Sequence, residues 1–506
     1  MYDGGDVLER HIGLFSTEGK GKDNVAELII EGNYIEFYSR NSNEIFPCAF
    51  LGGDGEHPYK VITSGMSRTG KYRSLEWGCS YRALYALTRN GTCRFENGLE
   101  VDRKDIVEVS FNIPELIEWL GFRTVECGAT ENKEVFAIET KVEELILLDD
   151  KINVSLYLES KSFNSITEYD TRTEFLINNQ PRIRIIYKEE PVDIQLVHTD
   201  IRCIMQFFGL LIGHVSDAVD IRMSHTTEDY KSWLFINQDM SYNLKSIDAM
   251  NRPRTSLEQC EGDIANYFKC WHRFYYDDKY ELIRRMYFSA NDKKEIFAED
   301  ILVLYIRILE GYSLRKSGDD PEAENFKVAL DSCSEEIKAL IFTEEGKPIF
   351  EKAISEAGIT WKFNSTHALN IGTWIASGYL ERKGLAQRIK EIDRSYFDII
   401  AKNASSIEHE VGRKNEDISE EALISKCFRD LVSTRNYYSH YKEDKTGVLT
   451  LSQMNTAIRV IKALIIMIFY DEMGIEKEKI REIMIKDTEL HFETMVLQEN
   501  KEQSQL

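Results

Sequence analysis

Residues 418–440 read ISEEALISKCFRDLVSTRNYYSH, and this stretch decides the architecture of the C-terminal half. Its apolar side chains recur three and four residues apart, at Ile424, Cys427, Phe428, Leu431 and Val432. That spacing predicts an amphipathic α-helix with one buried stripe. Asp417 or Ser419 can cap the start of this helix, and acidic residues occupy its first turn.

Arg435 lies near the centre of the same stripe, because successive residues are about 100° apart around a helix. The packing that buries Phe428 and Leu431 therefore carries its guanidinium inward or to an interface. A buried guanidinium needs an anion. Two kinds of anion could pair with Arg435. One is a carboxylate, for which Glu310 is the candidate, and the other is a phosphate, whose oxygens fit the planar guanidinium.

His440 follows Arg435 at an angle of about 140° around a regular helix. One chain can aim both side chains at one atom only if the helix ends near Tyr438 and turns His440 back. Alternatively, a two-fold axis brings a second copy alongside, so that Arg and His from two chains face one cleft. His440 could also be an ordinary surface histidine, favoured by the C-terminal helix dipole.

A second helix, strongly apolar, is predicted after a short polar loop. Thr450 and Gln453 form a capping box for it. Its apolar run at 458–469 is too short to span a bilayer and contains Arg459 and Lys462, so we expect a buried helix. Such a helix could hold two copies of the motif together.

Most of the first half is predicted to form strands. VAELIIEGNYIEFYSR (25–40) alternates around Gly32-Asn33, which is typical of a β-hairpin. Similar alternation recurs at 151–160, 174–179 and 182–189, with helical interruptions at 113–122 and 201–214. Beyond 251–256 the period becomes helical, at 264–288, 299–315, 324–342 and 386–403.

These patterns predict an α+β protein, in which a β-rich N-terminal domain precedes an all-α helical bundle. We expect the β-rich part to be a sandwich or a distorted barrel. A chain of 506 residues is too long for one core. The predicted parts are a β-rich domain at 1–245, a helical connector at 246–294, a helical domain at 295–495 and a polar tail at 496–506.

The formal net charge of −23 argues against wholesale wrapping of nucleic acid and predicts that any RNA contact is local. The 9 cysteines include no CxxC pair, and neither they nor the histidines have zinc-ligand spacing. MYDGGDVLERHIGLF does not have the pattern of a signal peptide. We expect a cytoplasmic protein with reduced thiols, no metal, no cofactor and no membrane association.

Arg-Asn-x-x-x-His at 435–440, the short polar loop and the long apolar last helix resemble the HEPN superfamily of RNases. The layout as a whole resembles the ApeA family of bacterial anti-phage defence proteins. The resemblance implies a metal-independent endoribonuclease that acts in abortive infection. Arg435 and His440 would be the catalytic pair and Asn436 the polar middle residue, in a composite site of a homodimer or higher oligomer. Attack by the RNA 2′-OH would leave a 2′,3′-cyclic phosphate.

The resemblance also implies that the β-rich domain senses a phage-derived trigger, which we expect to be a protein, and that the substrate is RNA, with tRNA as a candidate. One branch of the superfamily is not expected. HEPN toxins paired with nucleotidyltransferases carry a tyrosine two residues after the histidine, whereas this chain has Lys442 there and Tyr441 one step early.

A basic group is the candidate RNA cradle, although a solvated helix face would have the same composition. It comprises Arg382, Lys383, Arg388, Lys390 and Arg394.

Residues 68–89 interleave basic and aromatic side chains, which indicates a solvated strand face, with a nucleic-acid or protein-sensing surface as alternatives. GMSRTGKY (65–72) fits G-x-x-x-x-G-K, but Tyr72 stands where a phosphate loop needs Ser or Thr, so we predict a hairpin turn.

Two other functions are compatible with the sequence. The helical half could be a non-catalytic dimerising scaffold and the β-rich half a ligand-binding module. A nucleotide-handling enzyme that uses GMSRTGKY is the third possibility.

Overall fold

The computed structural model describes six N-terminal strands and most of the chain from residue 105 to residue 498. The described ranges are 8–17, 24–31, 34–39, 49–53, 58–67, 79–89, 105–121, 125–129, 135–139, 144–166, 173–213, 218–226, 231–236, 253–260, 262–292, 297–317, 343–356, 384–409, 418–440 and 445–498, with single positions at 336, 339 and 364.

The chain divides into two compact units. The first comprises 1–277, 291–295 and 469–491, and the second comprises 278–290, 296–468 and 492–506. The first unit contains the β-sheet and the second is helical, which confirms the α+β class. The domain boundaries at 245, 294 and 495 stay predictions; the compact units divide the predicted connector at Asp277.

The described strands of the first unit form one 12-stranded antiparallel sheet and one separate hairpin. They are β1 Leu8–Thr17, β2 Asn24–Glu31, β3 Tyr34–Ser39, β4 Ala49–Gly53, β5 Pro58–Ser67, β6 Cys79–Arg89, β7 Ile106–Asn112, β8 Val125–Ala129, β9 Val135–Glu139, β10 Leu145–Asp149, β11 Ile152–Ile166, β12 Thr173–Tyr187, β13 Val219–His225 and β14 Lys231–Ile236. The pairings β1–β2–β3–β6–β5–β4–β1 close a ring of six strands. From β6 the sheet continues through β14, β13, β7, β12 and β11 to β10. Of the two predicted forms, a sandwich and a distorted barrel, the closed ring of β1–β6 corresponds to the barrel.

The predicted hairpin at 25–40 is confirmed, since Glu31 pairs with Tyr34 across Gly32-Asn33. The predicted separation of 174–179 from 182–189 is wrong. Both belong to β12, which pairs with β11 along its full length, including Pro181 opposite Leu158. The proline is accommodated because β7 pairs only with residues 182–186, which leaves the other edge of β12 without a ladder partner at Pro181.

Helices complete the first unit. The described ones are α1 Leu116–Leu120, α2 Ile194–Ile212, α3 Leu257–Cys260, α4 Ile264–Tyr276 and, near the C-terminus, α13 Lys477–Lys486. Asp193 caps α2 by accepting from the backbone N–H of Gln195 and Leu196 at 3.0 and 2.9 Å. Phe207 and Phe208 of α2 are fully buried and form a continuous apolar core with Trp119 and Phe268, in edge-to-face contacts of 5.1–5.5 Å.

The remaining helices are α5 Asp278–Asp292, α6 Ala298–Ser317, α7 Gly346–Glu356, α8 Leu385–Ser395, α9 Ile399–Lys402, α10 Ala404–Ile407, α11 Glu420–His440, α12 Leu451–Glu472 and α14 His491–Thr494. The predicted helix at 264–288 is two helices, because Asp277 has an extended backbone. The predicted helix at 386–403 breaks where Phe397 and Asp398 adopt φ of 68° and 56°. The predicted helix at 324–342 lies outside the described residues, apart from positions 336 and 339.

In the second unit, α6, α8 and α11 contact one another pairwise. Leu302, Ile306 and Leu309 of α6 and Leu431 of α11 have no exposed surface. The predicted capping box of α12 is confirmed: Thr450 N donates to Gln453 Oε1 at 2.9 Å, and Gln453 N donates to Thr450 Oγ1 at 3.4 Å.

Helix α12 is long and apolar enough to cross a membrane by length and composition alone, and 61% of its apolar window is buried inside the structure. Residues 463–470 are at most 1% exposed. The prediction of a buried helix is confirmed.

Candidate functional site

Helix α11 is held by the features that its sequence predicts. Ser419 Oγ accepts the backbone N–H of Ala422 at 3.3 Å, so Ser419 is the cap. The buried face comprises Cys427, Phe428, Leu431 and Thr434, while Ile424 and Val432 are half-buried. This face fixes the rotation of the helix and therefore the direction of the side chains in its last two turns.

Arg435 lies one turn beyond Leu431, with 18% of its side chain exposed. Its Nη2 donates to Glu310 Oε2 of α6 at 2.9 Å, so the structure contains the carboxylate partner that the sequence left open. Glu310 itself is 32% exposed. The Nε of Arg435 is buried and has no hydrogen-bond partner within the described part of the chain. The guanidinium is thus oriented by Glu310, while 18% of the arginine side chain as a whole remains exposed.

Asn436 contacts the arginine. Its Oδ1 accepts from Arg435 Nη1 at 3.0 Å, so the side chain helps to orient the guanidinium between two acceptors. Glu310 and Asn436 together engage two of the five N–H donors of Arg435.

His440 is the last residue of α11 and is exposed. The helix extends to His440, so of the two alternatives the one in which the helix ends near Tyr438 and turns His440 back is not what the structure contains. Five regular helical steps separate Arg435 and His440 by about 140°. Within one chain the two side chains therefore point in different directions.

The connection that follows α11 is anchored to the same helix. Thr434, which is fully buried, donates to the carbonyl of Asp430 at 2.7 Å and accepts the backbone N–H of Leu449 at 2.9 Å. Gly447 has φ of 72°, and a Cβ at this position would lie 2.9 Å from Asp430 Oδ1. Close approach and positive φ both favour glycine here, so the start of α12 is fixed against the motif helix.

Further cations and aromatic rings lie around the end of α11. Arg307 of α6 is exposed, and its Nη2 lies 3.5 Å from Ser439 Oγ. Tyr437 and Tyr438 form an edge-to-face pair with centroids 4.9 Å apart, and Lys445 Nζ lies 5.9 Å from the centroid of Tyr437. Burial, and after it the negative charge of Glu299, raises the pKa of Tyr438. Arg307 was not among the predicted site residues; its only local signal in the sequence is its position one helical turn before Glu310.

The predicted basic group is only partly described. Arg382 and Lys383 lie outside the described residues, whereas Arg388, Lys390 and Arg394 lie on α8. Lys390 and Arg394 are four residues apart and share a side of the helix, while Arg388 is about 200° from Lys390. The three described members therefore do not form one stripe.

Other predicted sites lie largely outside the described part of the chain. Of GMSRTGKY, only Gly65–Ser67 is described, at the end of β5, and the predicted hairpin turn lies outside the described residues. Of the basic and aromatic residues in 68–89, those from Tyr81 onward lie in β6. Among the described residues, no group of His, Cys, Asp or Glu has the arrangement of a metal site.

Comparisons with known families agree with this layout. Residues 303–479 match the Apea-like HEPN family. This range includes α11, α12 and the part of α6 from Val303 onward. The helical half is therefore a HEPN domain. Residues 10–271 match ApeA N-terminal domain 1, and this match alone covers more than half of the chain. The chain belongs to the ApeA family. Comparisons with curated proteins and with solved structures gave no match.

This membership supports a HEPN-type defence effector, and HEPN domains are generally RNases. Family membership does not assign the chemistry to particular residues.

Proposed function

We propose that this chain is a metal-independent endoribonuclease of anti-phage defence, with Arg435 and His440 as its catalytic residues and Asn436 as the residue that orients Arg435. It cuts host or phage RNA in the cytoplasm and so stops growth of the infected cell. The β-rich N-terminal domain senses a phage-derived protein and controls the HEPN domain. tRNA is a candidate substrate.

The reaction needs two proton transfers and a site for negative charge. The 2′-OH of one ribose loses its proton and its oxygen attacks the adjacent phosphorus. The bond from phosphorus to the 5′-oxygen breaks, and that oxygen gains a proton, which leaves a 2′,3′-cyclic phosphate and a 5′-OH. A histidine is suited to move such protons near neutral pH, and an arginine stabilises the charge on the phosphorane oxygens.

Two copies of the chain complete the site in this proposal. Arg435 and His440 diverge by about 140° on one regular helix, so a single copy does not aim both at one linkage. A two-fold axis that sets two α11 helices side by side brings the Arg of one copy to the His of the other. The expected assembly is a homodimer or a higher oligomer built from such pairs.

The observation that carries the proposal is the state of the Arg435 guanidinium. Glu310 and Asn436 orient it, yet part of the side chain is exposed, and an exposed imidazole ends the same helix. A guanidinium held in this way is preorganised for a phosphate at lower entropic cost than a free side chain.

The same ion pair favours one alternative, a non-catalytic dimerising scaffold with a ligand-sensing β-rich domain. Arg435 already has a carboxylate partner, which a purely structural arginine would also have. The two functions differ in what loss of His440 does, because an exposed side chain at a helix end contributes little to packing.

The test compares full-length wild-type protein with His440→Ala, each purified and incubated in EDTA with bacterial and phage RNA, followed by mapping of RNA ends. His409→Ala is the matched control, since His409 is also an exposed histidine of the second unit. The proposal predicts cyclic-phosphate and 5′-OH ends with wild type and the control only. Equal cleavage by His440→Ala, or no cleavage by wild type even when proteins from phage-infected cells are added as a source of the trigger, would reject the nuclease and favour the scaffold.

A further inference from the structure

Arg307 lies beside the proposed site on the neighbouring helix. It precedes Glu310 by three residues on α6, and Ser439 follows Arg435 by four on α11. Residues at these spacings are neighbours on one helix face, with Cβ atoms about 5–6 Å apart. Because Glu310 contacts Arg435 and Arg307 contacts Ser439, the two helices run antiparallel at this contact. The guanidinium of Arg307 is thus offset from that of Arg435 by about one helical turn, toward His440.

The electrostatic setting of Arg307 differs from that of Arg435. Within the described part of the chain, no carboxylate lies within ion-pair distance of Arg307, and the carboxylate one turn away, Glu310, pairs with Arg435. The only hydrogen-bond partner of Arg307 there is the hydroxyl of Ser439, at a long 3.5 Å. An exposed cation without a carboxylate partner is notable on a chain of net charge −23. Its remaining N–H donors are available to an anion.

We propose that Arg307 and Ser439 form a subsite for an RNA backbone phosphate next to the scissile one. Arg307 donates N–H groups to the phosphate oxygens and Ser439 donates its hydroxyl, so the RNA strand passes from Arg435 over the end of α11. This inference rests on the proposed function, because it places the second phosphate relative to the linkage at Arg435. Arg307 is a substrate-binding residue here and moves no proton.

The experiment measures binding of a 2′-O-methylated RNA oligonucleotide, which lacks the attacking 2′-OH, to the full-length chain at several salt concentrations. Arg307→Gln should weaken binding about tenfold, as expected for loss of a charge-assisted hydrogen bond. It should also reduce the slope of log affinity against log salt by about 0.7, the contribution of one phosphate on a single strand. Ser439→Ala should weaken binding less. Arg429→Gln, which removes an exposed arginine elsewhere on α11, should leave the affinity near that of wild type.

The outcomes separate this subsite from the nuclease itself. If wild type binds the oligonucleotide but cleaves no unmodified RNA even with proteins from phage-infected cells present, the nuclease proposal fails, while the comparison of Arg307→Gln with Arg429→Gln still decides the subsite. If wild type cleaves RNA and the two variants bind equally well, or lose affinity equally, the subsite is wrong and the nuclease stands. If wild type does not bind the oligonucleotide, both proposals fall. Urea unfolding of each variant confirms that the exposed substitutions leave the fold intact.

Discussion

At the scale of single residues, Arg435 has two hydrogen-bond partners and one buried donor that has no partner among the described residues. Glu310 fixes Nη2, Asn436 fixes Nη1, and the buried Nε has no hydrogen bond within the described residues. Unsatisfied buried donors are rare in folded proteins and cost free energy. The geometry of the guanidinium, as well as its charge, is therefore what a substitution would change.

Arg435→Lys tests this geometry. Lysine keeps the positive charge, but its single ammonium lacks the planar fork that reaches Glu310 and Asn436 together. We expect RNA cleavage to fall by at least about 100-fold, the effect of losing one preorganised donor to a developing negative charge. Cleavage rates under single-turnover conditions measure this. Wild-type rates in Arg435→Lys would mean that charge alone suffices and that the orientation by Asn436 is irrelevant.

At the scale of secondary-structure elements, the connection from α11 to α12 depends on one hydroxyl. Thr434 is fully buried and bridges the carbonyl of Asp430 and the backbone N–H of Leu449. Thr434→Val keeps the shape and leaves the N–H of Leu449 without its acceptor. We expect a loss of about 1–3 kcal/mol in the free energy of unfolding, the cost of an unsatisfied buried donor.

Urea denaturation measures this loss. Thr456→Val is the control, since Thr456 is a helical threonine whose hydroxyl bonds only a carbonyl of its own helix at an exposed site. Equal stability of Thr434→Val and wild type would show that the connection is held by other contacts.

The junction between α8 and α9 should respond to pH. Asp393 accepts the N–H groups of Ile400 and Ala401 at 2.7 and 3.0 Å, and burial raises its pKa to about 7 despite these hydrogen bonds. Between the ordinary value for aspartate, about 4, and about 7, the folded chain holds a proton that the unfolded chain has released. This contribution to stability is therefore complete below about pH 4 and is lost as pH rises to about 7.

Asp393→Asn provides the measurement, because asparagine does not titrate. Relative to this variant, wild type should lose stability by an amount on the order of a few kcal/mol as pH rises from about 4 to about 7. Urea denaturation of both proteins across this range gives the difference directly. A difference that is constant with pH would contradict the raised pKa.

The sequence predicts the elements that depend on local patterns. The stripe of α11, the capping box at Thr450 and the hairpin at Gly32-Asn33 follow from spacing and turn chemistry alone. The continuous strand β12 does not follow from local patterns, because a proline is permitted there by pairing on one edge only. The helix break at Asp277 does not follow either, because the apolar period in the sequence runs across it. The contact of Arg307 with Ser439 depends on the register between two helices, which no local pattern encodes.

At the scale of the whole molecule, the acidic chain limits how it can hold RNA. The cations described near the end of α11 are Arg307, Arg435 and Lys445, with His440 beside them. Long-range repulsion from a net charge of −23 opposes binding of RNA at surfaces without such cations. Binding should therefore be local and involve few phosphates.

The salt dependence of RNA binding measures the number of phosphates. If each of the four groups Arg307, Arg435, His440 and Lys445 contacts one phosphate, each contact adds about 0.7 to the slope of log affinity against log salt. The slope should then be no steeper than about −3. A titration with the 2′-O-methylated oligonucleotide measures it. A slope of about −6 or steeper would mean that a larger basic surface, such as the predicted group at 382–394, also holds the RNA.

The assembly of two chains can be tested by mixing variants. Arg435→Ala and His440→Ala chains are co-expressed in equal amounts and purified together, so that the two kinds of chain pair at random. Each variant alone should be inactive. If every cleft takes Arg435 from one chain and His440 from the other, a mixed dimer keeps one intact cleft of two, and random pairing should restore about a quarter of wild-type cleavage.

RNA cleavage by that mixture, measured in EDTA with wild type and both single variants alongside, is the most direct test of the account. Restored activity that yields 2′,3′-cyclic phosphate ends would establish a shared Arg435–His440 cleft between two chains. An inactive mixture beside an active wild type, or full activity in either variant alone, would contradict it.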